Sequence, residues 1–469
     1  MVVNVEMARQ VCARLPLAEA SLRLVDLVTH DDFLADVFAR YRGRSYEQVI
    51  CFPSFVHLIA DSLLENHKSA RACFRRAQED GDLQATLAAA YGKLARVPIS
   101  LSKGLLFEAS VRLQAVFPTA ARQKLPDSLA RMQILALDGK KIKHVAKRLK
   151  ALRPVRGQVL GGKLVVALWV NTGLAVALDA DPDGEVSDAP LVPQTLRQVR
   201  GSIAGVRLWL ADAQFCDLNQ PGLLTAEGDH FIIRNNAKVG FHPDPHRPAV
   251  QGIDSKGRSY RQEWGWIGQA KDNRRCYVRR VTLLRPGEDD VILLTDLLDA
   301  GQYPAEDILD AYLMRWGIET CFQRITEVFD LRNLIGGTPQ ATVYQASFCL
   351  LLYNVMLVAR GYVAEAEQMA AEAISLEELF TDVQRQLIAW NEVLQVEETM
   401  LLLGGQPAGQ IQGQLRRLLS GVWTERWRKT PTRKRQPVKK QTEYLEGGHS
   451  SVFRLVQKAR AREPEIARV

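Results

Sequence analysis

Cysteine is sparse and unpatterned in this chain. Seven of its 469 residues are cysteine, scattered from Cys12 to Cys349 and never in a CxxC pair. That argues against a disulfide framework or a structural zinc site and favours reduced thiols. Long apolar runs are missing too. The longest, near Ala346–Val358, is bounded by Gln345 and Arg360 and interrupted by Asn354, too short to span a bilayer. The first twenty residues lack the continuous apolar core of a signal peptide. These absences predict a soluble, cytoplasmic protein. There is no internal repeat, and the one biased stretch is basic. His242 and His246 stand four apart, but the prolines around them forbid the helix that would align them on a metal.

What is present is ordinary in bulk. A length of 469 residues predicts two to four domains, and 47% hydrophobic with 24% charged residues is a globular composition. The formal net charge of +8 mildly favours a polyanionic partner.

Along the chain, texture changes several times. Residues 1–125 read as helical, over Asp32–Arg40, Tyr46–Glu65, Ser69–Gln78, Leu83–Ala95 and Leu101–Ala115. Lys68, Arg71, Arg75 and Arg76 gather near the third of these and point to DNA contact. Residues 126–234 turn to strands: Met132–Leu137, then Lys163–Val170 and Leu174–Leu178 joined at Asn171-Thr-Gly173, then, after a helix over Leu191–Arg200, Val206–Ala211 and His230–Arg234. Residues 235–300 read as a β-rich insertion with strands at Tyr260–Ile267, Arg275–Leu284 and Asp290–Leu297, and His242–Pro248 as a loop. Residues 301–360 resume the first unit. Residues 361–469 read as helical over Val363–Ala370, Leu376–Leu394 and Gln410–Leu419, then as a flexible basic segment with Arg426, Arg428, Lys429, Arg433, Lys434, Arg435, Lys439 and Lys440. The expected fold class is α/β, a mixed sheet flanked by helices.

One stretch stands out chemically. Asp307–Gly336 has helical spacing, with Ile308, Tyr312, Arg315, Glu319, Phe322, Thr326 and Phe329 on one face. An ordinary core helix would carry aliphatic residues where Arg315 and Glu319 stand. Glu319 reads either as half of an internal Arg–Glu pair or as a catalytic carboxylate with partners elsewhere in the chain. Asp138 and Asp212 each follow an apolar strand, at the edge of a sheet where catalytic groups gather. Asp217 competes with Asp212, which sits directly at its strand end and is preferred. Three convergent carboxylates suit two Mg²⁺ ions about 4 Å apart, with Mn²⁺ as a substitute, as phosphodiester cutting and joining require.

On these residues the chain resembles a DDE-type insertion-sequence transposase with a ribonuclease-H-like core, in the insertion-sequence-four group whose last motif reads Tyr–x2–Arg–x3–Glu–x6–Lys. Tyr312, Arg315 and Glu319 match that motif; Ala136–Gly139 resembles the first-Asp motif, and Leu210-Ala-Asp212 with Phe215 the second. The resemblance covers residues 130–360. It implies Asp138, Asp212 and Glu319 as catalytic and metal-binding residues. It further implies double-stranded DNA as partner, both the inverted-repeat ends and the target, a homodimer that pairs two ends, and a nucleoid-associated prokaryotic setting. Tyr312 and Arg315 would meet DNA at the cut. Lys140, Lys141 and Lys143 open an acid-free basic run to Arg156 that reads as an exposed loop tracking the phosphate backbone. One departure is clear: the last lysine falls at Thr326, which is expected to contact DNA because its hydroxyl can hydrogen-bond a phosphate, though it cannot neutralise one. Arg324 and Arg332 are nearby alternatives. The rival readings are a ribonuclease-H-like nuclease without strand transfer and a catalytically impaired or domesticated DNA-binding protein. Trp264 and Trp266 read as core packing, with base stacking as the alternative.

Overall fold

The computed structural model describes residues 10, 13–64, 69–143, 145–394, 399, 403, 408–430 and 448–466. The apolar run after Met132 forms strand β1 (Gln133–Ile142). It does not stop at Asp138, as the Asp-Gly pair predicts. A short strand β2 (Gln158–Leu160) pairs apart from this sheet, with His449–Ser451. Lys140, Lys141 and Ile142 keep pairing with the next strand of the sheet, β3 (Gly162–Trp169), which offers backbone partners along β1 from Leu135 to Ile142. A hairpin at Asn171-Thr-Gly leads to β4 (Leu174–Asp181), with Gly173 at φ +77°, a conformation that disfavours any side chain. All eight residues of β3 are buried, so both sheet faces are covered. The helices Val192–Ser202, Pro339–Ala366 and Ile99–Val116 lie against these strands.

Strands β5 (Arg207–Ala211) and β6 (His230–Arg234) then run parallel to β1. The order β4-β3-β1-β5-β6, three antiparallel strands followed by two parallel ones, is the ribonuclease-H-like mixed sheet expected. The strands after residue 235 continue that same sheet. They are β7 (Phe241–Pro243), β8 (Val250–Ile253), β9 (Ser259–Ile267), β10 (Cys276–Leu283) and β11 (Val291–Thr295), and β11 pairs with β6 through Leu293–Arg234. Part of the expected His242–Pro248 loop is therefore strand, because Phe241, His242 and Pro243 pair with β9.

His230 opens β6, and its Nδ1 lies 2.7 Å from the Asp296 carboxylate, which also accepts from Phe231 N. That hydrogen bond raises the imidazole above its ordinary range, against the pull of burial. A raised folded pKa contributes stability that is complete below the unfolded value, near 6.5, and is lost as pH rises through the folded value. Thermal melting of the wild type should therefore fall, by on the order of 1–2 °C, as pH is taken upward from 6. His230→Gln should flatten that dependence, and an unchanged slope in the variant would refute the link.

The N-terminal helices form close to where periodicity puts them, with starts set by caps. The helix expected from Leu83 begins at Leu87, where the Thr86 hydroxyl accepts from Ala89 N. The one expected from Tyr46 begins at Phe52, and a helix at Pro16–Thr29 precedes those singled out. The core helix Pro339–Ala366 is longer than its apolar run and absorbs Val363–Ala366, so no separate helix stands at Val363–Ala370. By composition it is long enough to cross a membrane, yet its most apolar window is wholly buried.

Asn354, in the middle of that core helix, is fully buried. Its amide accepts from Ala175 N at 2.8 Å and donates to Ala175 O at 2.7 Å, completing the backbone of edge strand β4 next to its register shift. Asn354→Leu would orphan both backbone groups, at about 1–3 kcal/mol each. Chemical denaturation should show a loss of that size, and an unchanged midpoint would contradict it.

At the C-terminal side Arg426, Arg428 and Lys429 belong to folded chain, not a free tail. Arg426 pairs with Asp382, Arg428 with Glu425, and Trp427 between them is buried. Arg433, Lys434, Arg435, Lys439 and Lys440 lie outside the described residues.

Candidate active site

Parallel pairing brings the two aspartates together. Leu137 on β1 is level with Ala211 on β5, so Asp138 and Asp212 are the next residues on adjacent strands. Asp212 stands at the strand end, and its backbone carbonyl accepts from Phe215 N to start a tight turn. Asp217 is spent elsewhere: its carboxylate accepts from Asn219 N and Gln220 N and caps the short helix Gln220–Leu224.

The third acid arrives on a broken helix. The expected element Asp307–Gly336 is two helices, Ala305–Met314 and Trp316–Glu327, followed by a turn with Asp330 at φ +60°. At the break, Arg315 N bonds Tyr312 O and Ile318 N bonds Arg315 O, both i to i+3 contacts that tighten the backbone. Tyr312, Arg315 and Glu319 still face the sheet.

Arg315 is the centre of the site. It is 8% exposed, and its guanidinium lies 3.8 Å from Asp138 and 2.5 Å from Glu319. Burial opposes its charge, but Tyr312, Glu319 and Asp212 more than restore it. Asp138 is pushed up to about 6, first by burial, against the Gly139 amide and Arg315, with Asp212 and Glu319 adding to the rise. Its Oδ1 accepts from Gly139 N at 2.7 Å and from Gln214 Nε2 at 3.2 Å. Gln214 went unnoticed in sequence because a single amide in a turn carries no periodic signal.

Three buried polar atoms here lack a partner: Asp212 Oδ1, Tyr312 Oη and Arg315 Nε. Burial pushes the Tyr312 hydroxyl up, so it stays a donor. Two orphan donors want an anionic oxygen, and the orphan carboxylate oxygen wants a cation. The donor set fits a hard divalent ion in kind. The carboxylates are nevertheless arrayed around a guanidinium instead of closed on one another. Among the described residues no three such side chains enclose a cation as they stand. Glu319 would have to turn from Arg315 to join a metal.

The remaining expected residues are placed unevenly. Lys141 and Lys143 are exposed, as are Lys147, Arg148, Lys150, Arg153 and Arg156, so most of the basic run is open surface. Lys140 is the exception: it lies on a strand, its ammonium donates to Phe322 O and sits over the Phe322 ring, and burial pulls it below the usual lysine range. The Thr326 hydroxyl donates to the same Phe322 O at 2.7 Å. In the N-terminal region, Arg71, Arg75 and Arg76 are exposed, and Arg71 and Arg148 both act on Tyr91. The basic run therefore passes near that helical region. Lys68 lies outside the described residues. Trp264 is buried under Arg247, and Trp266 packs on Tyr277 and Arg275. The exposed indole is Trp316, at 64%, beside Arg315.

No curated protein matches the chain. Among solved structures it is similar to the piggyBac transposase synaptic complex with hairpin DNA, at 10% identity and TM-score 0.42, with 88% of each chain covered. The segment that carries Asp138, Asp212 and Glu319, residues 130–355, matches the family described as the transposase DDE domain.

Proposed function

We propose that this protein is a divalent-metal-dependent DNA transposase that cuts at the inverted-repeat ends of an insertion sequence and joins them to target DNA. The observation that carries the reading is the set of three orphaned atoms: an uncompensated carboxylate oxygen on Asp212 beside unused donors on Tyr312 and Arg315. A phosphodiester together with a metal ion would satisfy all three. The match of residues 130–355 to the transposase DDE domain supports the same reading.

When bound by Asp138, Asp212 and Glu319, two Mg²⁺ ions, or Mn²⁺ in their place, supply an activated oxygen nucleophile and stabilise the leaving oxygen. Arg315 and Tyr312 hold the scissile phosphate by hydrogen bonds, and the Arg315 charge offsets the negative charge that builds on it. In the first step a water oxygen bonds phosphorus and the 3′-oxygen leaves, taking a proton. In the second that 3′-hydroxyl attacks a target phosphodiester, one P–O bond forming as another breaks. The exposed basic run from Lys141 to Arg156, with Arg71, Arg75 and Arg76, would track the duplex. A homodimer would pair two ends, in a cytoplasmic, nucleoid-associated setting.

The test is to incubate the full chain and Mg²⁺ with a plasmid carrying the DNA that flanks its reading frame. Joined products are expected. Cut ends without joining would indicate a nuclease, and binding without cleavage in Mg²⁺ or Mn²⁺ would indicate a DNA-binding protein only.

A further inference from the structure

Asp138 and Lys140 are two residues apart on β1, so they share one face of the strand. That face runs along the helix Trp316–Glu327. Asp138 meets Arg315 at the start of the helix, and Lys140 meets Phe322 two turns further on. The Lys140 ammonium thus lies on the same strand face as the Asp138 carboxylate, opposite the same helix.

At that point two donors converge on one acceptor. Lys140 Nζ reaches Phe322 O at 3.3 Å, and the Thr326 hydroxyl reaches it at 2.7 Å. The threonine proton is committed to its own helix, so Thr326 has none left for a ligand. The lysine has three protons and spends one on a long bond. Neighbouring cations are already matched: Arg324 with Glu377 at 3.0 Å and Arg332 with Glu327 at 3.9 Å.

We propose that Lys140, not Thr326, makes the phosphate contact at this end of the site, its ammonium reaching from the strand to where a longer side chain at 326 would project. The ligand is a DNA phosphodiester; the proposal rests on the DNA-processing reading above. It also accounts for a threonine at a position where the resembling family has lysine: the charge is supplied from the facing strand.

The test reads binding, not cleavage. A blunt DNA duplex of about two helical turns is titrated with the full chain at several salt concentrations. Lys140→Met keeps the stem and the ring contact but removes the charge. Affinity should fall on the order of tenfold, and the slope of log affinity against log salt should shrink by about one. Adding Thr326→Lys to that variant should restore both, and Lys140→Arg should retain both. Wild-type affinity and slope in Lys140→Met would overturn the proposal. So would a double variant that melts like the wild type yet does not regain the slope, or a Lys140→Arg that loses as much as Lys140→Met. A wild type that binds the duplex but never joins ends would sink strand transfer and leave this contact standing. A wild type with no duplex binding would overturn both.

Discussion

On the proposed function, Asp212→Ala should abolish Mg²⁺-dependent cleavage, a loss on the order of 10³-fold or more, because it would remove one of the three proposed metal ligands. The fold should tolerate the change. Asp212 Oδ1 makes no hydrogen bond, and the turn after it is held by the Asp212 backbone. Melting within a degree or so of wild type is therefore expected, which separates lost chemistry from lost structure. Asp138→Ala and Glu319→Ala should lose cleavage to the same extent. Their stabilities should differ from that of Asp212→Ala, since both acids balance the buried Arg315. Full cleavage by any one of the three variants would remove that residue from the catalytic set.

Asp188→Ala should give the largest loss of stability. Asp188 and Lys163 form an ion pair with side-chain exposures of 4% and 6%, packed directly against Gly139 beside Asp138. Removing the carboxylate strands a buried ammonium, at about 3–5 kcal/mol. Gly139→Ala attacks the same place from the other side: its methyl would overlap the Asp188 carboxylate. Overpacking of that kind costs about 1–3 kcal/mol before any effect on the pair. Denaturant titration of both variants checks the size and the order. An Asp188→Ala protein with the wild-type midpoint would show that the pair contributes nothing. The Asp-Gly sequence inside β1 is therefore not a turn: the glycine makes room for a buried acid under the site.

Much of the architecture could be read from local pattern. Alternating and continuous apolar runs marked β1, β3 to β6 and β9 to β11, though not the short strands β7 and β8, and the hairpin at Gly173 was visible in Asn-Thr-Gly. Those signals are local because strand burial and turn geometry depend on neighbours within a few residues. The helix over Asp307–Gly336 was over-extended because periodicity does not see a tightened turn at Arg315 or a left-handed residue at Asp330. The apolar run near Ala346–Val358 understated the core helix because Gln345 and Arg360 look like its bounds until their packing is known.

The three acids Asp138, Asp212 and Glu319 were legible as candidates from residue type and position, since ionisable groups at the ends of apolar elements are costly without a purpose. Their relation was not. Pairing of β1 with β5 made the aspartates neighbours, across a gap of over seventy residues that no periodicity spans. Packing placed Arg315 among the carboxylates and left Asp212, Tyr312 and Arg315 with unsatisfied atoms. Packing also moved Lys140 out of the expected loop and onto the strand face opposite the helix of Thr326. Long-range contacts of this kind depend on which faces meet once both sides of the sheet are covered, and a linear pattern of residues carries no record of that.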